Sequence, residues 1–201
     1  MTDHLSRRRF LAGVGGASAL LGAAALAHAV TPVGPFSLRE PRARADSPQD
    51  LPVNRSARHA EVTALALDPA WTLMVVGGGM TRAFTADGLE RLPQRTVRLP
   101  IACVEGWTVD ATWTGVRLRD LLTTVDAPED ATIRFRSLQQ RGAFRATTMP
   151  PQYVGDPLTL VALQVNGQRL DLDHGYPARV IAPGRPGVLQ TKWLSSIEVL
   201  R

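Results

Sequence analysis

Residues 159–170 read TLVALQVNGQRL, and they decide the fold class. Asn166-Gly167 stands between two apolar runs, and both residues tolerate the positive φ of a two-residue turn, so the stretch predicts a β-hairpin. Working outward, WTLMVVGG (71–78) is a short apolar run closed by glycines, and RTVRLPIACVE (95–105) is partly alternating. ATIRFRSL (131–138) alternates Ile133 and Phe135 with Arg134 and Arg136, the pattern of a half-exposed strand. YPARVIAPG (176–184) and KWLSSIEVL (192–200) bring the expected strands to at least six. In TGVRLRDLLTTV (114–125), Val116, Leu118, Leu121, Leu122 and Val125 recur at helical spacing, which predicts a helix against the sheet. Strands dominate and do not alternate regularly with helices. A doubly wound parallel sheet is thereby disfavoured, and a mixed α+β domain is expected.

A chain of 201 residues suits one domain. Its folded part is long enough to bury a core without disulfides, and 44% hydrophobic residues argue against disorder of the whole. The formal charge of +5 falls to +3 once Asp3 and Arg7 to Arg9 are set aside. The remaining charges are interspersed, without a basic patch interleaved with aromatics, so nucleic acid is not an expected partner. Lys192 is the sole lysine and Cys103 the sole cysteine.

Residues 1–29 have the form of a twin-arginine export signal. Ser6-Arg7-Arg8-Arg9-Phe10-Leu11 precedes a weakly apolar Gly/Ala run, and Ala27-His28-Ala29 is an A-x-A cleavage site. A retained anchor is the alternative, because about 17 residues is the lower limit for a spanning helix. Gly13, Gly15, Gly16 and Gly22 weigh against it. Residues 30–50 are rich in Pro and charge and read as a flexible tether, leaving 51–201 as the folded domain. An extracytoplasmic, periplasmic location is expected. The twin-arginine route carries folded proteins, which raises the expectation of a cofactor.

Cys103 fits three roles. It can pack as a small hydrophobe at the end of a strand. As a nucleophile it would need a base such as His174 within reach, but that histidine comes some seventy residues after the cysteine, and the chain lacks the glycine-flanked Cys following a His of exported Cys–His enzymes. As a metal ligand it would suit a soft or high-valent transition metal. One Cys without nearby partners cannot build a zinc site, so such a metal would have to bring most of its ligands. Residues 171–193, DLDHGYPARVIAPGRPGVLQTKW, combine His174, Arg179, Arg185 and Lys192 with Gly175, Gly184 and Gly187. Glycines allow close backbone approach, and Arg and Lys bind phosphate. A turn-rich surface hairpin with solvated charges accounts for the same residues.

Four blocks together resemble the molybdopterin-binding oxidoreductase domain of the sulfite oxidase family: LPVNRSA (51–57), LPIACVEGWTVDATWTGVRLRDLL (99–122), residues 160–193, and IEVL (197–200). The resemblance implies a mixed α+β fold around a mononuclear molybdenum–molybdopterin cofactor. It makes Cys103 the metal's thiolate ligand and places Asn54 and Glu105 in the metal pocket, as in the exported methionine-sulfoxide reductase branch. It assigns His174, Arg179 and Lys192, the stretch Gly187 to Thr191 including Gln190, and Arg55 to the pterin-phosphate cradle. Thr147 and Thr148 are expected near the metal. His59 is expected at the surface.

Sulfite oxidases follow this cysteine with an Ala-Gly-Asn-Arg-Arg run, whereas Val104-Glu105-Gly106-Trp107-Thr108 stands here. A carboxylate in that position would repel a sulfite dianion. The resemblance thus implies an oxygen-atom-transfer enzyme that reduces a sulfoxide or N-oxide, with Glu105 as a proton donor. The alternatives are a sulfite-oxidising enzyme, or an accessory module that keeps the fold without turnover. No haem segment or dimerisation domain is recognisable, so a monomer served by a separate electron-transfer partner is expected.

Overall fold

The computed structural model describes residues 48–103 and 106–200. The export signal, nearly all of the tether and Glu105 lie outside the described residues.

Among the described residues, ten strands form two five-stranded sheets. In chain order they are β1 (Thr72–Gly77), β2 (Met80–Thr85), β3 (Gln94–Ala102), β4 (Thr108–Arg117), β5 (Thr132–Ser137), β6 (Ala146–Met149), β7 (Leu160–Val165), β8 (Gln168–Arg169), β9 (Arg179–Ile181) and β10 (Leu194–Leu200). The first sheet runs β2-β1-β10-β5-β6, with β1 and β10 parallel and the other pairs antiparallel. The second runs β3-β4-β7-β8, and β9 pairs with the other end of the β7 edge. The described residues also form four short α-helices: α1 (Thr63–Ala66), α2 (Ala86–Glu90), α3 (Leu118–Thr123) and α4 (Pro151–Val154).

The strand patterns follow from what each face meets. β1 and β5 alternate, burying Leu73, Val75, Ile133 and Phe135 on one face. These side chains form the main core with Val116, Leu121, Leu122, Val161, Leu163, Val180 and Ile197. β7 reads as a nearly continuous apolar run because both of its faces are covered. Its opposite face, with Leu160, Ala162 and Val165, packs on Leu99, Ile101, Trp113 and Leu51 in a second core. The Asn166-Gly167 hairpin forms as expected, both residues taking positive φ between β7 and β8.

The helix expected over 114–125 is corrected. β4 continues through Val116 and Arg117, which pair with Val161 and Leu160, and α3 covers only Leu118–Thr123. Cross-strand pairing outweighs the local helical spacing. The register shifts between Thr114 and Gly115, where the strands come so close that a Cβ on Gly115 would collide with the carbonyl oxygen of Val161. Gly115→Ala is therefore expected to destabilise the fold by about 1–3 kcal/mol through overpacking, seen as a lower urea midpoint.

Candidate active site

Cys103 follows directly on β3 and opens the loop to β4. Its N–H donates to the carbonyl of Trp107 at 2.8 Å, and its own carbonyl accepts from the Gly106 N–H at 3.0 Å. Gly106 adopts φ +90, which a side chain would disfavour. This narrow turn leaves Cys103 half-buried at the floor of a cleft.

The opposite wall is the return from β9 to β10. Gly187 lies against the strand end bearing Cys103: a Cβ there would fall 2.8 Å from the Ala102 carbonyl oxygen. From behind, Thr147 on β6 shares a hydrogen bond of 2.8 Å with Thr191, and Arg185 donates to the carbonyls of Thr148 at 2.6 Å and Leu189 at 3.1 Å. Gln190 is buried, its side-chain N–H donating to the Arg185 carbonyl at 2.6 Å.

Arg179 projects from β9 beneath this wall. It is 3% exposed, lies over the Trp113 ring at 5.0 Å, and donates through Nη1 to the His174 carbonyl at 3.0 Å. Burial lowers its pKa to about 9. Lys192 donates to the carbonyls of Arg55 at 2.6 Å and Asp173 at 2.8 Å, and to Asn54 Oδ1 at 3.4 Å. Burial, with Arg179 and Arg55 nearby, brings its pKa down to about 7 against the weaker pull of Asp173 and Cys103. Asn54 Nδ2 stands 4.0 Å from Cys103 Sγ, the outer limit of an N–H···S contact.

One cleft thus gathers Asn54, Arg55, Cys103, His174, Arg179, Gly187, Gln190, Thr191 and Lys192, all singled out in the sequence. Glu105 lies outside the described residues. Thr147 is buried behind the wall, Thr148 is exposed, and neither lines the cleft. His59 is exposed, as expected. Trp107, Gln139 and Phe144 also line the cleft, and Trp113 underlies Arg179. Gln139 and Phe144 sit on the loop after β5, which carries no motif that would have marked them.

Residues 59–201 match the model of the family described as "Oxidoreductase molybdopterin binding domain". The chain belongs to this family. It is 31% identical over 162 residues to mitochondrial sulfite oxidase of Mus musculus, covering 66% of this chain and 30% of that protein. It is 32% identical over 113 residues to sulfite oxidase of Arabidopsis thaliana, covering 47% and 29%. The chain therefore spans less than a third of these curated relatives. Sulfane dehydrogenase SoxCD from Paracoccus pantotrophus shares the fold, with TM-score 0.58 and 24% identity over 65% of this chain and 38% of that one.

The residues present fit the family's molybdopterin cofactor. Among the described residues no ion pair joins Arg55, Arg179 or Lys192 to a carboxylate, so the cleft carries positive charge that an anionic ligand would neutralise. Arg55 Nε, Arg179 Nε and Gln190 Oε1 are buried without partners, two donors and an acceptor available to a ligand rich in polar atoms. Among the described residues no group of three or more His, Cys, Asp or Glu could hold a metal.

Lys192 also makes stability depend on pH. Its folded pKa of about 7 lies below its ordinary 10.5, so between these values the unfolded chain holds a proton that the folded chain lacks. Stability of the cofactor-free protein should therefore rise with pH from about 7 toward 10.5, the penalty being fully present below 7. Urea midpoints at pH 6.5 and about 9 should show the increase in the wild type. Lys192→Met should flatten it.

Proposed function

We propose that this chain moves an oxygen atom in a two-electron reaction, with Cys103 Sγ as the protein's thiolate ligand to the molybdenum. The observation that carries this reading is Cys103 in a cleft whose cations have no carboxylate partner among the described residues. The bound molybdenum would supply the two-electron redox chemistry, and the protein supplies position and electrostatics. Arg179 and Arg55 would hold the anionic end of the cofactor, Gln190 Oε1 would accept a ring N–H, and Gly187 would let the wall approach. Asn54, beside Cys103, would orient the substrate.

The favoured substrate is a sulfoxide or N-oxide. A neutral S=O or N–O group meets no repulsion from Glu105, whereas a sulfite dianion would. Reduction consumes two electrons and two protons and yields a thioether or amine and water, with Glu105 as the proton donor. A separate electron carrier would supply the electrons, and the twin-arginine pattern supports action outside the cytoplasm. Sulfite oxidation is the second reading, favoured by the names of the curated relatives and by the cationic cleft.

Purified wild-type protein should contain molybdenum near one per chain, measured by elemental analysis, and Cys103→Ser should lose it. A folded, normally stable wild type without molybdenum would overturn the assignment. Turnover of methionine sulfoxide or an N-oxide with a reduced viologen is expected to exceed that of sulfite with ferricyanide, and the reverse order would establish the second reading. Glu105→Gln should slow reduction and alter its pH profile; full turnover with an unchanged profile would remove Glu105 from the reaction.

A further inference from the structure

We propose that Phe144 determines substrate specificity at this cleft. Its ring receives an aromatic group bonded to the oxidised sulfur or nitrogen, so the preferred substrate is an aryl sulfoxide or aryl N-oxide rather than a small polar one. The inference rests on the oxide-reducing reading proposed above and adds the shape of the substrate to it.

Five large hydrophobic side chains are exposed among the described residues: Leu65, Leu67, Val76, Phe144 and Leu158. A single exposed Leu or Val is ordinary on a protein surface. Phe144 differs, being aromatic and the one of the five that lines the cleft with Cys103. With 48% of its surface exposed, it keeps apolar area in water at a place where a ligand can cover it.

The cleft divides chemically. Arg179, Gln190 and Thr191 are buried in it, a lining suited to a polar, anionic cofactor. Its solvent side carries Phe144 and the half-buried Trp107, which packs on the second core with Val109. A substrate whose oxygen enters toward Cys103 leaves its organic flank on this apolar side. Sulfite and dimethyl sulfoxide have no aromatic flank to place there.

The ring is held for this task. Phe144 sits on a single 3-10 turn, Ala143–Arg145, between β5 and β6. At the start of the loop the Leu138 N–H donates to the Trp193 carbonyl at 2.7 Å, and the Gln139 N–H to Ser137 Oγ at 3.2 Å. At its end the Arg145 N–H donates to the Gly142 carbonyl at 3.3 Å, and Arg145 Nη1 to the Gln140 carbonyl at 3.4 Å. Between them Gly142 takes φ +97, and a Cβ there would stand 3.3 Å from Arg55 Nη1. The loop thus lies against a side chain of the cationic lining. A ring fixed in this way loses little freedom on binding, and ring-on-ring packing adds to the area it buries.

Two measurements on the holoenzyme test the assignment. The first is binding of methyl phenyl sulfone, an unreactive analogue, followed by ligand-observed NMR. Phe144→Ala should raise its Kd about tenfold, and Leu158→Ala, outside the cleft, should leave it unchanged. The second is turnover with reduced viologen. Phe144→Ala should lower kcat/KM about tenfold for methyl phenyl sulfoxide and less than about twofold for dimethyl sulfoxide, with molybdenum content and urea midpoint as in the wild type. An unchanged sulfone Kd, no sulfone binding to the wild type, or an equal loss on both sulfoxides would overturn the proposal. Loss of pterin from Phe144→Ala would overturn it too, by placing the ring against the cofactor. A wild type that turns over no S-oxide or N-oxide defeats the reduction reading instead, while the sulfone titration still decides the role of Phe144, so the two failures are distinguishable.

Discussion

The guanidinium of Arg179 is buried over the Trp113 ring, no carboxylate among the described residues pairs with it, and the cleft is built around that charge. Taking a cation out of water costs several kcal/mol unless polar groups replace the lost hydration. The groups supplied are carbonyls: His174 faces Arg179, Arg55 and Asp173 face Lys192, and Leu189 and Thr148 face Arg185. A carbonyl dipole solvates a cation without cancelling it. The cations therefore stay uncancelled by the described residues; burial lowers the pKa of Arg179 to about 9, and burial with Arg179 nearby lowers that of Lys192 to about 7. An anionic ligand would neutralise these cations.

The two sheets deliver these parts by close approach. The β3–β4 hairpin presents Cys103, β9 presents Arg179, and the return to β10 supplies the facing wall. Contact between that wall and β3 depends on Gly187, where any side chain would press on the Ala102 carbonyl. The thiol is thus held by backbone geometry on both sides, while the charges are held by carbonyls. Rigidity of this kind suits a site that must hold a large ligand and leave chemistry to it.

Local sequence marked much of the site. Cys103, His174, Arg179, Gln190 and Lys192 lie in two continuous stretches whose glycines and charges stand out against their surroundings, and the cleft draws on both. The Asn166-Gly167 hairpin was equally legible, because positive φ is a local demand. Gln139 and Phe144 were not, since they reach the cleft through the pairing of β5 with β6 and β10. The boundary between β4 and α3 was misplaced because Val116 fits a helical stripe, yet it is drawn into the ladder by β7.

By itself, the sequence determined the α+β class, the family and the residue types at the site, because alternation, turn chemistry and motif spacing are properties of neighbouring residues. Only the tertiary structure decided what those residues do to one another. In the chain Lys192 is one basic residue of a glycine-rich stretch, and only in the fold do oxygens of Asn54, Arg55 and Asp173 converge on its Nζ. Those acceptors lie up to 138 positions away. Hydrogen-bond partners at such separation are set by packing, and no local pattern encodes them.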